Sequence, residues 1–168
     1  SARIARLVAE QGNEEMRDYA PEMETESDEA RQMLDELRGV LRDHQGLQLF
    51  LQPQVDIASG RCHGAEALLR WHDPQWGWVP PTEFLPIIEE RGMMTELGEW
   101  VLSEACRQLQ TWKEAGLALP PRIAINVAAP QIDEKDFAAR TLAIIEQAGQ
   151  SPSRFELELT ESSMMRDP

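Results

Sequence analysis

Three polar residues stand inside segments of the sequence that are otherwise apolar and have the pattern of β-strands. They are Glu66, Asn126 and Glu158. Burying an unpaired charge is costly, so a carboxylate in such a strand needs a partner. In a barrel of parallel strands, side chains at the carboxyl ends of successive strands converge on one mouth. Two carboxylates and a carboxamide oxygen that meet there would form an oxygen-rich site suited to Mg²⁺ or Mn²⁺.

Spacing alone leaves a simpler interpretation open. In a strand whose faces alternate, Glu156 and Glu158 would both point to solvent. Asn126 would then serve a turn, and a single glutamate such as Glu66 in a strand is weak evidence for a site. The residue pattern therefore permits either a metal site or three unrelated polar positions.

The elements that must position these residues alternate between strands and helices. Thr82 is predicted to cap the first helix after a Trp- and Pro-rich loop, Gln75–Pro81. Such alternation implies βα units around a parallel sheet or a barrel. Periodicity does not distinguish a doubly wound sheet from a (β/α)₈ barrel. Strand patterns cover about 47–57, 61–72, 122–128 and 154–160, and helical patterns cover about 82–91, 95–115 and 133–148.

The first 46 residues differ in sequence pattern from the rest. Two helical patterns, Ser1–Arg17 and Ser27–His44, are separated by Pro21 and an acidic run. We therefore expect a helical linker in residues 1–46 and an α/β region in residues 47–168.

The charge of the chain argues against a surface that binds DNA or RNA. Its 30 acidic and 16 basic residues give a net charge of −14, whereas nucleic-acid polymers require clustered Lys and Arg. No apolar run reaches the ~20 residues that cross a bilayer. Cys62 and Cys106 lack zinc-site spacing, so we expect two buried free thiols, as in a reducing compartment. We expect a cytoplasmic chain whose full-length parent could be tethered to a membrane.

The segment Gly64–Trp71, which contains Glu66-Ala67-Leu68, resembles the signature that names the EAL domain. The resemblance extends from about Leu47 to Met165 and keeps the order and spacing of the family. Its further segments are Phe50–Val55, Pro81–Pro86, Glu89–Gly92, Trp100–Leu102, Ala124–Val127 with Gln131, and Glu156–Ser162.

The resemblance implies a variant TIM barrel that hydrolyses the bacterial messenger cyclic di-GMP to linear pGpG with Mg²⁺ or Mn²⁺. Glu66, Asn126 and Glu158 match metal ligands, and Glu66 is also counted among the catalytic residues. Gln52 matches a position that contacts the ligand. Arg70 matches a phosphate contact, a task that suits a guanidinium fork. Glu161 matches a catalytic-site glutamate that steadies a loop carrying later metal ligands.

The end of the chain departs from the family pattern. A TIM barrel typically contains about 250 residues, and the family's later Asp pair, catalytic Lys, further Glu and late Gln have no counterpart before Pro168. We therefore expect a partial barrel, truncated after its early βα units and inactive alone. Such a piece is expected to pair as a homodimer or with a complementing fragment. The alternative function is a non-catalytic module that binds cyclic di-GMP or a protein.

A second, shorter resemblance lies in the leading segment. Glu10–Asn13 and Tyr19–Met23 resemble the tail of a GGDEF domain and its exit linker. GGDEF domains synthesise cyclic di-GMP and often precede EAL domains. An unrelated signalling helix is the alternative for this segment.

Overall fold

The computed structural model describes residues 35–40, 42–43 and 45–159. Residues 35–40 and 42–43 are helical, and the described residues fall into two compact units. The first contains the residues up to Gln48 with Arg70–Met93, and the second contains Leu49–Leu69 with the residues from Met94 onward. The elements are β1 (Leu47–Val55), β2 (Cys62–Asp73), β3 (Gly77–Val79), α1 (Pro81–Glu90), α2 (Met94–Glu114), β4 (Ile123–Val127), α3 (Ala129–Ile132), α4 (Phe137–Gln147) and β5 (Phe155–Leu159).

The second unit is built on a sheet with the strand order β1-β2-β4-β5. Strand β4 is parallel to both of its neighbours, with Ile123 opposite Ala65 on β2 and opposite Phe155 on β5. Its apolar side chains Ile123, Ile125 and Val127 are all buried, as expected for a strand in the interior of a parallel sheet. The α/β class and the parallel βα units predicted from the sequence are confirmed.

Helix α2 buries one apolar face within the second unit. Its buried residues recur at intervals of three and four, which keeps them on one side of a helix. Cys106 lies in this row, is fully buried and carries a free thiol. Burial raises the pKa of the Cys106 thiol to about 11. The buried residues of α2 are Leu97, Val101, Leu102, Ala105, Cys106 and Leu109.

The first unit is centred on Trp71. Its ring is fully buried and meets the Phe84 ring edge-on, with the centroids 5.6 Å apart. The end of β2 pairs antiparallel with β3. Gly46 lies beside this strand at a φ of 81°, and a Cβ there would lie 2.5 Å from the carbonyl oxygen of His72. Only glycine fits at this turn, because both the backbone angle and the space exclude a side chain.

Several local predictions were wrong. Helix α1 begins at Pro81 after Pro80, with no side-chain cap from Thr82. Proline favours this first position, because its missing N–H has no acceptor to lose there. The helix predicted over 133–148 begins only at Phe137, as α4, and a separate short helix, α3, precedes the predicted range. The Trp-rich loop contains β3. Cys62 is exposed.

The predictions for the leading segment lie largely outside the described residues. The helix expected over Ser27–His44 agrees with the helical residues 35–40 and 42–43. The helix expected over Ser1–Arg17 and the resemblance to a GGDEF tail remain predictions. Within the residues that the structure describes, no helix has both the length and the apolar character to cross a membrane.

Candidate active site

Glu66 and Asn126 meet on adjacent parallel strands. The Asn126 carboxamide Nδ2 donates a hydrogen bond to the Glu66 carboxylate Oε1 over 2.9 Å. Asn126 is exposed and Glu66 is half-buried, so the pair opens to solvent. Because the amide nitrogen is engaged by the carboxylate, the amide oxygen Oδ1 is the acceptor that this side chain can offer to another group.

Glu158 joins the same face of the sheet from the next strand. It stands directly opposite Asn126 in the register of β4 and β5, and it is half-buried. Glu66 stands opposite Ala124, which is two residues before Asn126. Side chains alternate along a strand, so the three polar residues share one face of the sheet. Glu66 is offset from the other two by two residues along the strand direction, or roughly 6.6 Å. The sequence predicted the three residues, and the register brings them to one side of the sheet.

The donor set fits a hard divalent cation. Carboxylate and carboxamide oxygens are the ligands that Mg²⁺ and Mn²⁺ prefer, and these side chains offer oxygens without a thiolate or an imidazole. In the described part of the chain, no group of three or more His, Cys, Asp or Glu side chains is arranged so that it could hold a metal ion. The candidate set therefore depends on an asparagine as well as on carboxylates.

The other predicted site residues lie at separate places in the chain. Gln52 is exposed on β1 in the second unit, and Arg70 is half-buried on β2 in the first unit. Glu161 falls outside the described residues. The roles assigned to these three residues remain predictions.

A buried glutamine follows Asn126 and was not predicted to have a role from residue spacing. The side-chain oxygen of Gln131, which is 5% exposed, accepts a hydrogen bond of 2.9 Å from the backbone N–H of Ala128. The backbone N–H of Gln131 in turn donates to the carbonyl oxygen of Ala128 over 3.0 Å. A glutamine three residues after a helix N-cap is the available sequence signal for this arrangement.

Polar and charged side chains connect α2 with α4 close to Gln131. The Thr95 hydroxyl and the Arg140 guanidinium both donate to the Glu134 carboxylate, and Arg140 also forms an ion pair of 3.0 Å with Glu99. The hydrogen bond from Thr95, followed by that from Arg140, lowers the pKa of the Glu134 carboxyl group. These contacts hold the two helices together and engage Arg140 with two carboxylates.

The small cavity beside this group is unsuited to a nucleotide. It has a volume of about 30 Å³ and lies between α2, β4, α3 and α4, which is room for about one water molecule.

Comparisons with known proteins agree with the fold and with the residue pattern. The sequence model of the family described as EAL domain matches residues 31–168. The chain is 37% identical to the cyclic di-GMP phosphodiesterase PA2567 of Pseudomonas aeruginosa, over 89% of this chain and 25% of that protein. It is 39% identical to the bifunctional diguanylate cyclase/cyclic di-GMP phosphodiesterase MucR of the same organism, over 89% of this chain and 22% of MucR.

A solved structure shares the architecture. The PaMucR phosphodiesterase in complex with c-di-GMP superposes with a TM-score of 0.71 at 40% identity, covering 81% of this chain and 54% of that one. This similarity confirms the predicted fold class, a partial barrel of the TIM type. The chain spans about a quarter of the length of the curated relatives it matches.

Proposed function

The chain belongs to the EAL-domain family, and we propose that the protein containing it hydrolyses cyclic di-GMP to the linear dinucleotide pGpG. The observation that carries the proposal is the Asn126–Glu66 hydrogen bond on adjacent parallel strands, with Glu158 in register beside it. Relatives named as cyclic di-GMP phosphodiesterases, at 37% and 39% identity, support the same reaction.

In this proposal the polar face of the sheet holds a divalent metal ion, Mg²⁺ or Mn²⁺. Glu66 and Glu158 would contribute carboxylate oxygens, and Asn126 would contribute Oδ1 while its Nδ2 stays on Glu66. When bound, such an ion polarises a phosphodiester and lowers the pKa of an attacking water. The water oxygen bonds to phosphorus and the bond to the 3′ oxygen breaks, which gives one 5′ phosphate and one 3′ hydroxyl group.

The remaining predicted residues act on the ligand in the same proposal. Arg70 would bind a phosphate through its guanidinium fork, and Gln52 would contact the ligand from β1. Glu161 would steady the loop that carries further metal ligands.

Substitution of Glu66 in the full-length protein tests the catalytic proposal. Glu66→Gln keeps the size of the side chain and removes the charge that binds the cation, so we expect pGpG formation to fall by about 100-fold or more. Glu146→Gln, on the exposed side of α4, is the matched control and should keep full activity. The measurement is the rate of pGpG release followed by chromatography. Activity retained in Glu66→Gln would refute the assignment.

A second candidate function is a receptor that binds cyclic di-GMP without hydrolysing it. The solved relative at 40% identity is a phosphodiesterase in complex with c-di-GMP, which supports binding of this ligand, a property that both candidate functions share. Calorimetry of the full-length protein with cyclic di-GMP, with and without Mn²⁺, separates the two candidates when it is combined with the hydrolysis assay. Binding without pGpG formation by the full-length protein supports the receptor, and the absence of binding under both conditions excludes it.

A further inference from the structure

The turn that follows Asn126 is fixed by one buried side chain. Val127, Ala128 and Gln131 are each less than a tenth exposed, so this turn is shielded from bulk water. The Gln131 oxygen accepts from the Ala128 N–H. Because Ala128 has no side-chain acceptor that could cap α3, the start of this helix depends on Gln131.

Gly98 on α2 provides the space that Gln131 occupies. A Cβ at position 98 would collide with Nε2 of Gln131 and would lie 3.3 Å from its Cδ. Glycine weakens a helix interior, so a glycine inside α2 requires a packing reason. The amide of Gln131 is that reason, and any larger residue at position 98 would displace it.

We propose that Gln131, seated against Gly98, is a positioning residue for the Asn126 carboxamide and thereby for metal binding at Glu66. This inference rests on the proposed function. The Ala128 N–H that donates to Gln131 lies two residues beyond Asn126. This hydrogen bond therefore fixes the backbone between β4 and α3. With the turn fixed, Asn126 keeps Nδ2 on Glu66 and presents Oδ1 to the cation. Partners that orient a metal ligand affect affinity even when they never touch the metal.

Two readouts on the full-length protein, first without metal and then titrated with Mn²⁺, test the proposal. In Gln131→Leu the Ala128 N–H loses its acceptor, so its amide hydrogen should exchange faster in NMR experiments without metal. The dissociation constant for Mn²⁺, measured from the paramagnetic resonance of the free ion, should rise by about 10–100-fold. Gln131→Glu keeps an acceptor oxygen at the same reach, and it should recover most of the affinity that Gln131→Leu loses.

Substitutions at Gly98 separate positioning from general stability. Gly98→Ala should displace Gln131 and weaken both thermal stability and Mn²⁺ affinity. The double variant Gly98→Ala with Gln131→Ala removes the collision, so stability should partly return while Mn²⁺ affinity stays low. Leu109→Val destabilises α2 from a buried position that does not line this turn, and it should leave Mn²⁺ affinity unchanged.

The outcomes distinguish failure of this inference from failure of the proposed function. If the unsubstituted full-length protein binds no Mn²⁺, the proposed function loses its metal site, and this inference falls with it. If the unsubstituted full-length protein binds Mn²⁺ and its Gln131→Leu variant binds it equally well, only the positioning role is overturned. The positioning role is also overturned if affinity merely tracks melting temperature across all variants, including Leu109→Val.

Discussion

Replacing Asn126 by aspartate would set two carboxylates against each other. Nδ2 of Asn126 lies 2.9 Å from Oε1 of Glu66, and aspartate has nearly the same shape as asparagine. Asn126→Asp therefore exchanges a donated hydrogen bond for a like-charge contact. Asn126→Ala removes the same hydrogen bond without adding charge, so the difference between the two variants isolates the repulsion.

The size of that repulsion follows from the separation and the exposure of the pair. Two charges 4 Å apart repel by about 1 kcal/mol in water and by about 4 kcal/mol at the effective dielectric near a protein surface. Asn126 is exposed and Glu66 is half-buried, so water screens much of the interaction. We expect Asn126→Asp to be about 1–2 kcal/mol less stable than Asn126→Ala at pH 7 and low salt. In about 1 M salt, where the Debye length is about 3 Å, most of the difference should vanish.

Urea unfolding of the two variants, with and without Mn²⁺, measures this difference. A cation held between two carboxylates reverses the sign of their interaction, so Mn²⁺ should stabilise Asn126→Asp more than it stabilises Asn126→Ala. Equal unfolding midpoints for the two variants at pH 7, low salt and no metal would refute the placement of residue 126 against Glu66.

Three further predictions concern an ion pair, a buried thiol and a tight turn. Hydrogen bonds from Thr95 and Arg140 lower the pKa of Glu134 below its ordinary 4.5, so the stability that this carboxylate contributes is complete above pH 4.5 and is lost as the pH falls through the lower folded-state pKa. The melting temperature of Glu134→Gln should therefore fall less at acid pH than that of the unsubstituted protein. Parallel curves of melting temperature against pH for the two proteins would contradict this. Burial raises the pKa of Cys106 to about 11, so a thiol reagent at pH 8 should modify the exposed Cys62 quickly and Cys106 only after denaturation. Equal modification rates for the two cysteines in the folded protein would show that Cys106 is accessible. Gly46→Ala should lower the free energy of unfolding by about 1–3 kcal/mol, because its Cβ would lie 2.5 Å from the His72 carbonyl oxygen; an unchanged urea midpoint would mean that the turn relaxes freely.

The sequence predicted the strands that carry the site because their pattern is local. Glu66, Asn126 and Glu158 stand out among apolar neighbours, and β4 and β5 were predicted to within one or two residues. Their register was not predictable, because parallel strands separated by long connections are aligned by tertiary packing. The strand register that places Glu66 opposite Ala124 is therefore known only from the structure.

Short elements escaped prediction for a related reason. Helix α3 has four residues and contains Pro130, which is too short to show helical periodicity. The role of Gln131 depends on Gly98, which lies 33 positions earlier in the sequence on another helix. A predicted N-cap at Thr82 failed because Pro80 and Pro81 already set the backbone at the start of α1.

A contact at the opposite end of the sheet bears on how the strands find each other during folding. The Arg154 guanidinium donates a 2.6 Å hydrogen bond to the carbonyl oxygen of Pro120, and these residues shortly precede β5 and β4. A slip of one residue would turn Glu158 to the other face of the sheet. The hydrogen bond of Arg154 holds the starts of β4 and β5 side by side. It therefore disfavours a shifted strand pairing, in which the chain could be compact but could not assemble the site.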